Sequence, residues 1–298
     1  FLSATNNGGI TGRFITALGS SAGLVCTFII LNRSVDHAKV KIALSFASVS
    51  FALSLTLAVF IGGMLETYLN WVYCFYILLI QGVVMYVLSF MYADTLLDKE
   101  PLHIKTILYG YRVALSNVKL VGFSIRVAIV SVFSYCYSVA GPFIANDLFG
   151  FNGATYGVWN CMTFVGIVGG SIVAAKILSA GDTASILKKS LVCMVLLLIV
   201  LAALNLLGLL TPVLFFVLMT LIFAVCGVIY PSSYIASNSM EDKSSASGTM
   251  NFINMGLATV MVSVMGYLPF EYFWNFILLA VLLPFLFLVT VIVLKPKV

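Results

Sequence analysis

The sequence predicts an all-α integral membrane protein with nine transmembrane helices. Three observations carry that prediction. Hydrophobic residues make up 62% of the 298 positions and charged residues only 8%, more apolar surface than a water-soluble domain of this length can bury. The apolar residues fall into nine long runs, each near the ~20 residues that a helix needs to cross a ~30 Å hydrocarbon core. Basic residues occupy every second gap between the runs and leave the others bare, which is the positive-inside pattern. Helices rather than strands follow because backbone polar groups in lipid must pair within their own segment, and the runs are too long for barrel strands.

In chain order the predicted spans cover residues 10–31, 38–63, 71–93, 120–145, 155–178, 187–208, 212–236, 247–268 and 273–294. The gap after the first holds Arg33, Lys39 and Lys41, and the third gap holds Lys99, Lys105, Arg112 and Lys119. The fifth holds Lys188 and Lys189, with Lys176 at the helix edge; the seventh holds Lys243, and the C-terminus holds Lys295 and Lys297. The intervening gaps contain Glu66, Asp147 and Glu271 but no Lys or Arg. The basic gaps are therefore expected in the cytoplasm, and the C-terminus with them. The net charge of +5 reflects this retention signal, and no nucleic-acid partner is expected. Residues 95–119 form the longest gap, and their pattern predicts a short amphipathic helix on the membrane surface. No cleavable signal peptide is expected.

The six cysteines, Cys26, Cys74, Cys136, Cys161, Cys193 and Cys226, each fall inside a different apolar run and form no CxxC pair. They read as small buried hydrophobes rather than disulfides or metal ligands, so neither a metal nor a cofactor is expected.

An internal repeat bears on organisation. Gly63 to Trp71 reads GMLETYLNW and Gly266 to Trp274 reads GYLPFEYFW. Both place Leu two residues and Trp eight residues after the Gly, and they lie 203 residues apart, a distance of six spans. Parallel six-helix repeats are one way to build a transporter, with the substrate site between the halves. Six spans follow the long gap and three precede it. On the repeat logic, roughly 80–90 further residues carrying three helices are expected upstream of Phe1.

Four segments resemble one family. RFITALGSSAG, residues 13–23, is similar to the fourth-helix motif R-x-x-Q-G-x-G of major facilitator drug/proton antiporters; Arg13 and Gly19 match, whereas Thr16 and Ala17 stand for the usual Gln and Gly. AGPFIANDLFGFNGATYG, residues 140–157, resembles the seventh-helix exit of the bicyclomycin-resistance (Bcr/CflA) branch. GVIYPSSYIAS, residues 227–237, and SASGTMNFINMG, residues 245–256, resemble its tenth helix and the start of its eleventh. One departure is notable. Gly62 and Gly63 keep the end of the antiporter motif G-P-x-x-G-G, but Ala58 and Val59 replace its Gly-Pro, which removes a kink source.

The resemblance implies a major facilitator fold in which this chain supplies helices four to twelve of twelve. Residues 1–94 would then be the end of the first bundle, 95–119 the cytoplasmic linker and 120–298 the second bundle. It implies a proton-coupled exporter of small amphipathic, drug-like molecules. Such a protein works as a monomer without ATP in a bacterial inner membrane.

Polar residues inside the spans are the candidate site, because intramembrane polarity is costly. The resemblance gives Arg13 the role of tuning a proton-binding carboxylate from the central cavity. The plain alternative is an arginine that snorkels to the interface. An arginine on the acidic side runs against the charge trend, which favours the functional role. Arg126 lies near the basic end of its span and reads as an anchor. No carboxylate lies mid-span, and in relatives the proton-binding acid often sits on the first helix.

Gln81, Tyr135, Tyr137, Asn160, Thr163, Tyr230, Asn251 and Asn254 are cavity-lining candidates, with interhelical hydrogen bonds as the plain alternative. Tyr135, Tyr137, Asn251 and Asn254 form the preferred group, the two asparagines being three apart on one helical face. Gly166, Gly169, Gly170, Ala174 and Ala175 form a small-residue stripe that close helix packing explains. Pro142 and Pro231 are hinge candidates.

Three functions follow: an exporter driven by a proton gradient, a carrier for nutrient or metabolite uptake, and a transport-incompetent sensor or remnant. An enzyme is not expected. The chain has no HExxH and no Walker-type GxxxxGK[ST], and no GxSxG of a serine-hydrolase elbow is expected either.

Overall fold

The computed structural model describes residues 11–12, 14–20, 53–54, 56–91, 109, 111–113, 115–178, 183–237 and 243–294. All its regular structure is helical, with no strand among the described residues. In chain order the helices are α1 (Thr56–Tyr68), α2 (Val72–Met91), α3 (Val118–Phe149), α4 (Gly153–Leu178), α5 (Thr183–Leu206), α6 (Pro212–Ser237), α7 (Lys243–Tyr267) and α8 (Tyr272–Leu294). Six of these, α2 to α7, contain a stretch long and apolar enough to cross a membrane; α1 and the described apolar part of α8, Tyr272–Phe285, are shorter. The expected spans from residue 71 onward each coincide with one helix to within a few residues. The span expected over 38–63 is corrected at its end, because α1 continues to Tyr68. Most of the span expected over 10–31 lies outside the described residues, which there form helix at 11–12 and 14–20.

The chain divides into two compact units, one of residues 1–51 and 76–101, the other of residues 52–75 and 102–298. In the first, α2 from Tyr76 onward carries exposed apolar side chains on every face. A helix that is apolar all round belongs in lipid.

The second unit is built around α3, which packs against α6, α7 and α8; α4 lies chiefly on α6, and α5 on α6 and α8. Asn117 starts α3 by accepting the Leu120 N–H on its side-chain oxygen at 3.1 Å. Gly150 ends it with φ 66°, the left-handed conformation glycine adopts without a Cβ clash, and its N–H returns to the Asn146 carbonyl at 2.8 Å. Pro142 lies inside this helix, which continues to Phe149. At the α7–α8 connection, Asn275 gathers the turn by donating its amide to the carbonyls of Leu268 at 3.1 Å and Phe270 at 3.0 Å.

Lipid tails are as apolar as leucine, so helices in a membrane associate through close packing rather than hydrophobic exclusion. The α4–α6 contact shows how. A Cβ on Gly166 would strike the Thr220 backbone, one on Gly170 the Ala224 backbone, and one on Gly227 would lie 2.8 Å from the Ile167 carbonyl oxygen. Gly166, Gly170 and Ala174, spaced four apart, form the working part of the small-residue stripe. Gly169 meets open space and Ala175 is exposed, which corrects the five-residue stripe. Spacing of four returns to one helix face, whereas a neighbouring residue is turned 100° away.

The same device joins α1 to α4. A Cβ on Gly63 would strike the Gly153 carbonyl, and one on Gly157 would lie 3.0 Å from Phe60 Cα. Thr67 Oγ1 accepts the Ala154 N–H at 2.9 Å, satisfying one of the open donors at the start of α4. Of the Gly62-Gly63 pair, only Gly63 makes the contact; Gly62 faces open space.

Candidate functional site

The interior of the second unit is apolar and aromatic, with a few polar side chains set into it. Phe133, Tyr137, Phe223 and Phe276 bring together residues of α3, α6 and α8, with Tyr137 ring centroids 5.4 Å from Phe223 and 6.0 Å from Phe276. A second aromatic group joins Phe151 and Trp159 to Phe215 and Phe216 of α6. Tyr137 donates its hydroxyl proton to Asn160 Oδ1 at 2.9 Å, across the α3–α4 boundary. The Tyr156 hydroxyl lies beside the Tyr137 ring, since a Cβ on Gly141 would meet both. Gly141 leaves room for that hydroxyl, for a Cβ there would collide with it. All three polar side chains are buried, where an unmade hydrogen bond costs more than in water-exposed sites.

Tyr137→Phe is therefore expected to destabilise the protein by about 1–3 kcal/mol, because it leaves the buried Asn160 Oδ1 short of a partner. A melting curve in detergent checks it; an unchanged midpoint would show the hydrogen bond to be dispensable.

A second polar feature lies on α7, which packs along α3. Thr249 is 0% and Asn254 2% exposed, yet Thr249 Oγ1 and Asn254 Oδ1 have no hydrogen-bond partner among the described residues. Two buried acceptors without partners are unused binding capacity, since nearly all such groups in folded proteins are satisfied. They fit the hydroxyl or N–H of a polar ligand, or a water.

Comparison with known families adds the decisive observation: the family described as Major Facilitator Superfamily matches residues 1–266. The chain belongs to the Major Facilitator Superfamily. A search of curated proteins gives no match. Membership, together with the apolar helices, makes this an integral, multi-pass membrane protein of a family that transports small molecules.

Against that background the individual candidates separate. Arg13 lies outside the described residues, while Gly19 is helical with open space where a Cβ would stand. Gln81 is exposed on α2. The preferred group of Tyr135, Tyr137, Asn251 and Asn254 does not share one environment: Tyr135 is 38% exposed and Tyr137 2%, and Asn251 is exposed where Asn254 is buried. Residues two apart on a helix point about 200° away from each other, so the tyrosines cannot face the same side. Three apart leaves about 60°, and the edge of the α7 contact falls between the two asparagines. Asn160 is tied to Tyr137, and Thr163 donates to the Asn160 carbonyl oxygen at 2.7 Å.

Pro142 and Pro231 both lie within continuous helix rather than at breaks. The Pro231 side chain lies outside the described residues. Tyr156 and Thr249 were missed as site residues. The first had a signal, for Tyr156 precedes Asn160 by four residues and so shares its helix face.

Two further expectations are corrected. Cys193 is exposed, whereas Cys136 and Cys226 are buried. The spacing Gly-x-Ser-x-Gly does occur, at Gly19–Ser20–Ser21–Ala22–Gly23. A nucleophile elbow needs a strand-to-helix turn. Residues 14–20 are already helix, and Ser20 spends its hydroxyl proton on the Thr16 carbonyl at 2.8 Å.

Proposed function

We propose that the protein is a proton-coupled secondary carrier that exports small amphipathic molecules by alternating access, as a monomer and without ATP. The observation that carries this reading is the interior of the second unit, where aromatic rings pack around a few buried polar groups, and where the buried acceptors of Thr249 and Asn254 on α7 have no partner among the described residues. Such a surface suits a substrate with an apolar body and one or two hydrogen-bonding groups. The antiporter-like stretch from Arg13 to Gly23 supports proton coupling and export.

In this reading residues 1–94 complete a first bundle, 95–119 link the bundles and 120–298 form the second. Arg13 and Gly19 belong to the proton-coupling motif; Tyr137, Asn160 and Asn254 contribute to the substrate path. The proton-binding carboxylate is not among the mid-span residues of this chain.

The test is ethidium efflux from cells expressing the protein. Export above the empty-vector level, abolished by an uncoupler, is the expected result. Faster ethidium accumulation in expressing cells would instead assign uptake, and no difference from empty vector would remove drug export.

Charge alternation supports an orientation with the Lys-bearing ends and the C-terminus in the cytoplasm, and the resemblance to the antiporters supports a bacterial inner membrane. Asn152→Cys is expected to react with an impermeant thiol reagent added outside intact cells, and Ser244→Cys only after permeabilisation. The reverse labelling would invert the topology.

A further inference from the structure

One helix face outside the proposed substrate path has the form of a lipid site. An open surface depression of about 510 Å³ lies on α5, its described lining being Ser185, Lys188, Lys189, Val192, Cys193 and Leu196, all from this one helix. These positions recur at three- and four-residue steps, so they make one continuous stripe. The stripe is divided by chemistry. Its first part carries two exposed lysines, which form no ion pair among the described residues. Its second part is apolar, and Val192, Cys193 and Leu196 are exposed on it, followed by exposed Ile199 and Val200.

From Lys188 to Val200 the helix rises roughly 18 Å at 1.5 Å per residue. One leaflet contributes about 15 Å of a ~30 Å hydrocarbon core. The lysines therefore stand at headgroup level when the apolar stripe lies beside an acyl chain. In a membrane protein that stripe faces lipid in any case; the paired charge is what distinguishes one lipid from another. A zwitterionic headgroup brings its own ammonium to the lysines, whereas an anionic headgroup brings uncompensated phosphate charge.

We propose that this face of α5 binds one anionic phospholipid, its phosphate held by Lys188 and Lys189 and an acyl chain lying along Val192, Cys193 and Leu196. The lysines are exposed and Cys193 reaches the surface, so substitutions here leave the core of the helix bundle untouched.

Native mass spectrometry of the full chain, titrated with phosphatidylglycerol or phosphatidylcholine, tests it. One phosphatidylglycerol is expected to be retained preferentially. A juxtamembrane lysine contributes about a fivefold effect, so Lys188→Ala with Lys189→Ala is expected to weaken retention about thirtyfold. Lys188→Arg with Lys189→Arg is expected to retain the lipid.

Cys193 supplies an independent readout. Its maleimide labelling, followed at the peptide level, is expected to slow several-fold with phosphatidylglycerol and not with glycerol phosphate alone. Equal retention of the two lipids, or equal retention of phosphatidylglycerol by wild type and the alanine pair, would overturn the proposal. Protection by glycerol phosphate would overturn the lipid as the source of the bound phosphate.

Discussion

Gly170→Leu is expected to abolish the correctly packed protein, whereas Gly169→Leu one residue earlier is expected to leave it intact. At Gly170 a Cβ would lie 2.7 Å from Ala224 Cα, inside any permitted carbon–carbon contact, and the obstacle is backbone rather than a side chain that can turn aside. The helices α4 and α6 would have to separate. Helix α6 carries Phe215, Phe216, Met219 and Phe223 of the core, so its displacement also opens the aromatic interior. Overpacking of a side-chain core costs about 1–3 kcal/mol, and a backbone contact exceeds that range. Gly169 has nothing within 4 Å of the position a Cβ would take and meets no such obstacle. Size-exclusion profiles and melting midpoints of the two variants in detergent decide the matter. Matching profiles would mean that the α4–α6 backbone contact does not hold the unit together.

Arg13→Ala is expected to reduce gradient-driven transport to background while membrane insertion proceeds normally. A guanidinium within an apolar span costs at least ~2.5 kcal/mol by insertion scales, and the resemblance to antiporters supplies a reason for retaining it. Arg13→Lys is expected to rescue poorly, because a compact ammonium cannot reproduce the planar fork of donors. Transport by Arg13→Ala near the wild-type rate would assign Arg13 to simple anchoring at the interface. Expression measured alongside transport separates a coupling defect from loss of the protein.

Much of the architecture was legible before any packing was known. The span expected at 212–236 is the helix Pro212–Ser237, and that expected at 273–294 is Tyr272–Leu294. Such agreement has a simple cause. A lipid-exposed helix must be apolar along its whole length and must close its own hydrogen bonds, so its presence is written in consecutive residues. The family resemblance was legible for a similar reason, through short local strings, and the superfamily match over residues 1–266 bears it out at that level.

The site was less legible. Tyr135 and Tyr137 were grouped by composition, although the turn of about 200° between them already separates their faces. Tyr156 was within reach through its spacing from Asn160, but the Tyr137 ring beside its hydroxyl is on another helix. The sequence by itself determined the helical class, the lengths of the later spans and the alternation of charge, because each is a property of contiguous residues against a uniform apolar solvent. Only the tertiary structure decided that α4 lies on α6, that Gly170 rather than Gly169 is the point of contact, and that Thr249 and Asn254 are buried with acceptors left without partners among the described residues. Those facts depend on which face of each helix meets another helix. Lipid and protein neighbours are both apolar, so hydropathy does not distinguish the two faces.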